Sequence, residues 1–246
     1  MVSKGKCLWC EKGITTSTAL RHFNSCDKVK DILNGKIDGF LIKVKDKFSS
    51  DYWLYIAVPS SFTLEDLDNF LRDIWVECCG HLSEFMINGV HYGSSNTMEV
   101  SEEEPDILEF VPASKKKLSD VLDKGLKFNY TYDFGSSTEL ILTVIDNVKL
   151  KDKKIYVLGR NDQPQFNCAK CGKQAEYICY ECLGDTGNLD ESTYCKDCLK
   201  THEHADENSG FIPNSPRVGV CGYVGDEEME KIKVWPIKSG KSLRLS

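Results

Sequence analysis

The sequence predicts an α+β fold: a mainly antiparallel sheet with two helices, flanked by small zinc-binding modules. Three features lead there. Strand-like apolar runs recur between positions 38 and 158, one amphipathic stretch with a capping signal covers 63–75, and Cys/His groups with metal-ligand spacing sit at both ends of the chain. The implied organisation is a single-zinc finger at 1–35, an α+β domain at 36–160, a two-zinc cross-brace module at 161–210, and an ordered tail at 211–246 that packs on the other parts.

Composition sets the frame. The 246 residues are 41% hydrophobic and 28% charged, the balance of a soluble globular chain. No apolar run approaches the roughly 20 residues that a membrane helix needs, so no membrane partner is expected. A formal net charge of −7 argues against a surface that tracks a phosphate backbone throughout. The N-terminal arm differs: through residue 36, Lys4, Lys6, Lys12, Arg21, Lys28, Lys30 and Lys36 outnumber Glu11, Asp27 and Asp31. The polar start carries no apolar secretory run, and nine of the twelve cysteines follow ligand spacing, so a reducing cytoplasmic setting with thiols free for metals is expected.

The first element is the finger. Cys7 and Cys10 form a C-x2-C pair, and His22 and Cys26 follow after eleven residues, one helical turn apart. A cysteine turn closed by a helix at 18–23, with Leu20 inward, would hold one zinc. Arg21 and Lys28 are the residues that would carry nucleic-acid contact.

From position 38 the pattern alternates. Phe40, Ile42 and Val44 interleave with Lys43 and Lys45, and the continuous run 52–58 forms a second, more buried strand closing a hairpin. Thr63 and Asp66 make a capping box before Leu64, Leu67, Phe70, Leu71 and Ile74, which recur at helical spacing. A short strand spans 83–88. The carboxylates Glu99, Glu102, Glu103, Glu104 and Asp106 read as an exposed loop. A short helix at 118–122 and strands at 126–133, 139–148 and 154–158 complete the domain.

Several of these segments resemble the plasmid pRiA4b ORF-three-like family, which also carries a transposon-passenger TnpR-like label. They are SFTLEDLDNFLRDIW (61–75), His81–Tyr92, Lys117–Asp120 and above all the Tyr130-x-Tyr132-Asp133-Phe134-Gly135 run; the likeness covers roughly 37–160. It implies a compact α+β fold and no defined activity. Where the family continues with Asp, Trp and His, this chain has Ser136, Thr138 and Leu140, so acid-plus-His chemistry lacks partners.

The densest signal lies at 168–204. Cys168/Cys171, Cys179/Cys182 and Cys195/Cys198 are C-x2-C pairs separated by seven and twelve residues, followed by His202 and His204. Eight ligands make two tetrahedral zinc sites. A cross-brace, as in ZZ-type and B-box-type modules, puts Cys168, Cys171, Cys195 and Cys198 on one ion and Cys179, Cys182, His202 and His204 on the other; sequential pairing is the alternative. Three zinc ions are thus expected in all. Cys78, Cys79 and Cys221 stand outside these patterns, with adjacent Cys78 and Cys79 read as one buried and one exposed thiol.

The run Asn214–Tyr223 is rich in turn formers yet apolar enough to be ordered, with Arg217 as a possible anion contact; 233–237 could add an edge strand, and 238–246 is a loose basic end. Three functions follow in order: a non-enzymatic zinc-binding adaptor for a protein partner, a nucleic-acid-binding regulator using the basic finger, and a hydrolase around His81, His91 and Asp133. Fully ligated zinc sites favour the first, since a catalytic zinc keeps an open position.

Overall fold

The computed structural model describes residues 3–103, 109–204 and 208–235. The chain begins with a hairpin, β1 (Lys4–Cys7) and β2 (Gly13–Thr15), followed by α1 (Ala19–Ser25) and α2 (Asp27–Leu33). The two helices bury Ala19, Phe23, Val29 and Ile32. Leu20, expected inward, is only half-buried, because Ala19 and Phe23 take the face that meets the sheet.

β3 (Ile37–Asp46) and β4 (Trp53–Pro59) form the anticipated hairpin. Every residue of β4 is buried, and its alternation sorts them. Trp53, Tyr55 and Ala57 join the core built with Phe23, Val29 and Ile32. Leu54, Ile56 and Val58 join the core on the opposite face, with Phe70, Leu71 and Trp75. A strand covered on both faces needs no polar alternate positions, which is why 52–58 is a continuous apolar run.

α3 (Leu64–Leu71) starts at the predicted capping box: the Asp66 N–H donates to Thr63 Oγ1 (3.1 Å) and the Thr63 N–H to Asp66 Oδ2 (2.8 Å). It runs on as one wider π turn, Arg72–Val76. β5 (Ser83–Ile87) and β6 (Val90–Gly93) are joined through Asn88 (φ 52°) and Gly89 (φ 79°), the positive pair of angles that a two-residue hairpin turn requires.

α4 (Ser95–Glu103) is a departure, because the acidic stretch from Glu99 was expected as loop. Its start is fixed by polar bonds that no apolar period announces: the Met98 N–H reaches the Ser94 carbonyl (2.9 Å), and buried Thr97 Oγ1 both accepts from the Ser83 N–H (3.0 Å) and donates to the Ser83 carbonyl (2.7 Å). Glu104 and Asp106 lie outside the described residues. β7 (Val111–Pro112), α5 (Leu118–Val121), β8 (Lys127–Tyr132), β9 (Thr138–Leu150) and β10 (Ile155–Asn161) follow.

A separate three-stranded sheet holds the C-terminal cysteines. It has the order β12-β11-β13, from β11 (Tyr177–Cys179), β12 (Thr193–Tyr194) and β13 (Ser209–Phe211), with α6 (Tyr180–Thr186) and α7 (Lys196–Leu199) between them. α8 (Glu227–Glu230) and β14 (Val234–Trp235) complete the chain as described; the expected basic end at 238–246 falls outside it.

Eleven strands among the described residues form one large sheet in the order β2-β1-β10-β4-β3-β9-β8-β5-β6-β7, with β14 also on β10. Thus β1 pairs with the Gly159–Asn161 end of β10 and β14 with its Ile155–Tyr156 end. The architecture is α+β, but the sheet is mixed, since β7 runs parallel to β6. Two helices are also too few. α3, α4 and α5 belong to the same region, and α1 and α2 cover the other face of its sheet. Four-residue α5 matches the short helix expected at 118–122, whereas two-residue β7 is too short to show a period.

Candidate metal centres

The first group is set by the β1–β2 turn and α1. The Cys7 N–H donates to the Lys12 carbonyl and the Glu11 N–H to the Cys7 carbonyl (both 2.9 Å), bending Cys10 back toward Cys7. His22 on α1 and Cys26 at the end of that helix stand a turn apart, with the Cys26 N–H on the His22 carbonyl (2.8 Å). Cys10 Sγ lies 3.2 Å from His22 Nε2, and the ligand atoms of Cys7, Cys10, His22 and Cys26 all fall within 4.8 Å of one another. Burial pushes the Cys7 thiol up to about 11. For Cys10 burial is outweighed by the Lys12 N–H and the Cys7 and Cys26 sulfurs, so its thiol is lowered. Burial, helped by the Lys12 charge, lowers His22 and so favours the neutral ring that offers a lone pair.

In the second region the small sheet brings the first and third cysteine pairs together and the second pair to the histidines. Cys168, Cys171, Cys195 and Cys198 form one group and Cys179, Cys182, His202 and His204 another, each with its ligand atoms within 4.8 Å. Cys171 and Cys195 sulfurs are 3.7 Å apart, and Cys182 Sγ lies 3.2 Å from His202 Nε2 and 3.9 Å from His204 Nδ1. Tyr194 stacks on the His202 ring at 4.3 Å. Burial of Cys168 is outweighed by the N–H groups of Cys195, Cys171 and Lys170, which bring its thiol down to about 6. Metal-binding knuckles present amides to thiolates in this way.

A third region gathers the residues that the sequence patterns left over. Cys78, Cys79, His81 and Cys221 place their ligand atoms within 4.8 Å of one another. The Tyr130-x-Tyr132-Asp133 run forms the floor beneath them. Tyr132 OH donates to Glu77 Oε1 (3.0 Å) and accepts from the N–H groups of Cys78 and His81 (3.3 Å each). Two guanidiniums lie over its ring, Arg72 at 4.8 Å and Arg217 at 4.7 Å from the centroid. Tyr130 OH donates to Asp68 Oδ1 (2.8 Å), which Ser83 Oγ also contacts, while Arg72 pairs with both Asp68 (2.6 Å) and Glu77 (2.7 Å).

Asp133, at φ 65°, accepts the N–H groups of Gly135 and Ser136 on one oxygen and the Arg217 Nη2 donor (2.7 Å) on the other. Burial of this carboxyl is outweighed by the Arg217 bond and those two amides, which hold it below the usual carboxylate range. Arg217, read from sequence as an anion contact only in the alternative to an ordered packing loop, is fully buried and also donates to the Ser136 carbonyl and Thr138 Oγ1 (3.0 Å each).

Of the three residues proposed for hydrolysis, His81 and Asp133 approach to 3.5 Å, whereas His91 Nδ1 pairs with Glu84 Oε2 at 2.6 Å. Arg21 and Lys28 are exposed on α1 and α2. The tail docks through Asn214 and Ser215: Trp75 Nε1 donates to the Asn214 carbonyl (3.0 Å), Asn161 Nδ2 to Asn214 Oδ1 (2.7 Å), and Ser215 Oγ to the Trp75 carbonyl (2.5 Å).

Fold and sites together define an α+β protein with four Cys/His groups among the described residues able to hold metal ions. The chain matches the plasmid pRiA4b ORF-3-like protein family over residues 40–204, more than half its length, and belongs to that family. No curated protein matches it. Among solved structures, a protein of unknown function from Methanosarcina mazei Go1 is similar with a TM-score of 0.41 and 23% identity, covering 50% of this chain and 68% of that one. No helix among the described residues is long and apolar enough to cross a membrane.

Proposed function

We propose that the protein is a non-enzymatic zinc-binding adaptor of a reducing compartment, in which metal ions fold short segments so that they present surfaces to a protein partner. The observation that supports this most is the complete donor set: the groups at Cys7/Cys10/His22/Cys26, Cys168/Cys171/Cys195/Cys198 and Cys179/Cys182/His202/His204 each offer four ligand atoms. Four protein ligands close a tetrahedral zinc shell and leave no position for substrate. In this reading the 168–204 module is a cross-brace, two ions each bridging ligand pairs distant in sequence, and the finger makes a third zinc site.

Elemental analysis with native mass tests the metal claim. At least three zinc per chain are expected, and cobalt-substituted protein should keep its visible spectrum when azide or cyanide is added. A spectrum that shifts with added anion means an open, substrate-accessible site and overturns the structural reading.

The alternative of nucleic-acid binding draws on α1 and α2, which bury Ala19, Phe23, Val29 and Ile32 and leave Arg21, Lys28 and Lys30 exposed. Fluorescence anisotropy with duplex DNA and single-stranded RNA separates the two. Binding that weakens steeply with salt and vanishes in Arg21→Glu plus Lys28→Glu favours the regulator over the adaptor.

A further inference from the structure

We propose that Cys78, Cys79, His81 and Cys221 form a fourth zinc site, a Cys3His latch that fastens the C-terminal tail to the central domain and exchanges its ion more readily than the other three. The proposal stands apart from the three sites above, since none of its ligands takes part in them.

Geometry carries it. A zinc–sulfur bond of about 2.3 Å puts tetrahedral sulfurs about 3.8 Å apart. Here Cys78 and Cys79 sulfurs are 3.4 Å apart, Cys79 and Cys221 sulfurs 3.8 Å, and His81 Nε2 lies 3.0 Å from Cys79 Sγ and 3.3 Å from Cys221 Sγ. The corresponding contacts in the three groups recognisable by spacing run from 3.2 to 3.9 Å against 3.0 to 3.8 Å here, so the fourth group is as closely gathered as its companions. A disulfide requires about 2.05 Å, which these sulfurs do not approach.

The backbone is bent to bring the donors together. Gly80, at φ 78°, turns the chain between Cys79 and His81, and Cys221 itself sits at φ 52°, where a side chain costs energy unless surroundings impose it. Arg217, fully buried, donates from Nη2 to Cys78 Sγ (3.4 Å) while held by Asp133. A guanidinium behind the sulfur is the kind of outer partner that orients and balances a thiolate ligand.

Lability follows from exposure. Each of the other groups contains a buried cysteine, whereas here Cys79 and Cys221 are exposed and Cys78 and His81 half-buried. A chelator reaches this ion first.

The test is zinc stoichiometry of the full chain, purified anaerobically, together with release kinetics to a chromogenic chelator. Wild type should carry four zinc, one leaving at least tenfold faster than the rest; Cys221→Ser and His81→Asn should each carry three and lack the fast phase. Three zinc in wild type, four in both variants, or a 2 Da mass deficit marking a disulfide would overturn the proposal. Should a variant lose more than one ion through misfolding, cobalt titration of wild type decides without it: thiolate charge-transfer absorbance saturates at four equivalents if the latch is real and at three if it is not.

Discussion

The groups at 168–204 and the group at Cys78/Cys79/His81/Cys221 use the same donors in opposite ways. In the first, all ligands fall within 37 residues of sequence, and little apolar surface supports them. The cores there are small, Cys168, Cys179, Tyr194 and Cys195 in one and Ala175, Ile178 and Ile212 in the other. In the second, Cys79 and Cys221 are 142 positions apart and are brought together by a fold that has two large cores of its own. In the proposed reading a metal makes the structure in one case, and the structure makes the site in the other.

Metal removal is the strongest way to break that contrast. Structural zinc in small modules contributes an apparent ~10 kcal/mol or more at neutral pH, so stripping the ions, or lowering the pH until thiols and imidazoles reprotonate, should unfold 168–204 while the large sheet persists. Hydrogen exchange with mass spectrometry would report loss of protection in β11, α6 and α7 and retention in β3, β4 and β9. Loss of protection in both regions together would mean that the sheet also depends on metal.

The next largest effect is expected at Arg217. Replacing it by Ala leaves Asp133 as a buried carboxylate without its cation, a defect that costs about 3–5 kcal/mol in comparable buried pairs. The loss should appear in denaturant melts and should reach the latch, because Arg217 bonds both Asp133 and Cys78. A melt within about 0.5 kcal/mol of wild type, the range typical of neutral surface changes, would place Arg217 outside the supporting framework.

Tyr132→Phe sharpens the comparison more gently. It removes a donor to Glu77 and the acceptor for two backbone N–H groups, which at ~1–3 kcal/mol for buried groups left unpaired is a moderate loss. Its signature would be faster zinc release from the latch with unchanged release from 168–204. Equal acceleration at both would argue for a global rather than local role.

The same contrast explains what was legible in the sequence. The C-x2-C pairs and the Cys7/Cys10/His22/Cys26 group were readable because ligand geometry is local there and imposes a spacing. The β4 run and the Thr63 box were readable because burial on two faces and capping each leave a local pattern. The latch has no spacing rule, since its ligands meet only after β5, β8 and the tail have docked. A signal existed all the same: Cys78, Cys79 and Cys221 were the unassigned cysteines, and with His81 they make one complete donor set. α4 and the parallel β7 were hidden for a similar reason, being held by Thr97–Ser83 bonds and by the β6 edge rather than by apolar periodicity.

The smallest effect on overall stability is expected for Cys221→Ser. The tail keeps the buried Arg217 bonds to Asp133, Ser136 and Thr138 and the Asn214 bonds to Trp75 and Asn161, and the cores on both sheet faces lose nothing. Global melting should therefore stay within about 1 kcal/mol of wild type, as for substitutions that create neither a cavity nor an unpaired buried charge. The change should be confined to exchange of amides near 218–225, where Cys221 supplies the one proposed ligand from the tail. Loss of a metal ligand at 168–204 should instead remove protection across a whole module. If Cys221→Ser proved as disruptive as Cys171→Ser, the central cores would have to be weaker than their burial implies, and the division between metal that folds and metal that fastens would fail.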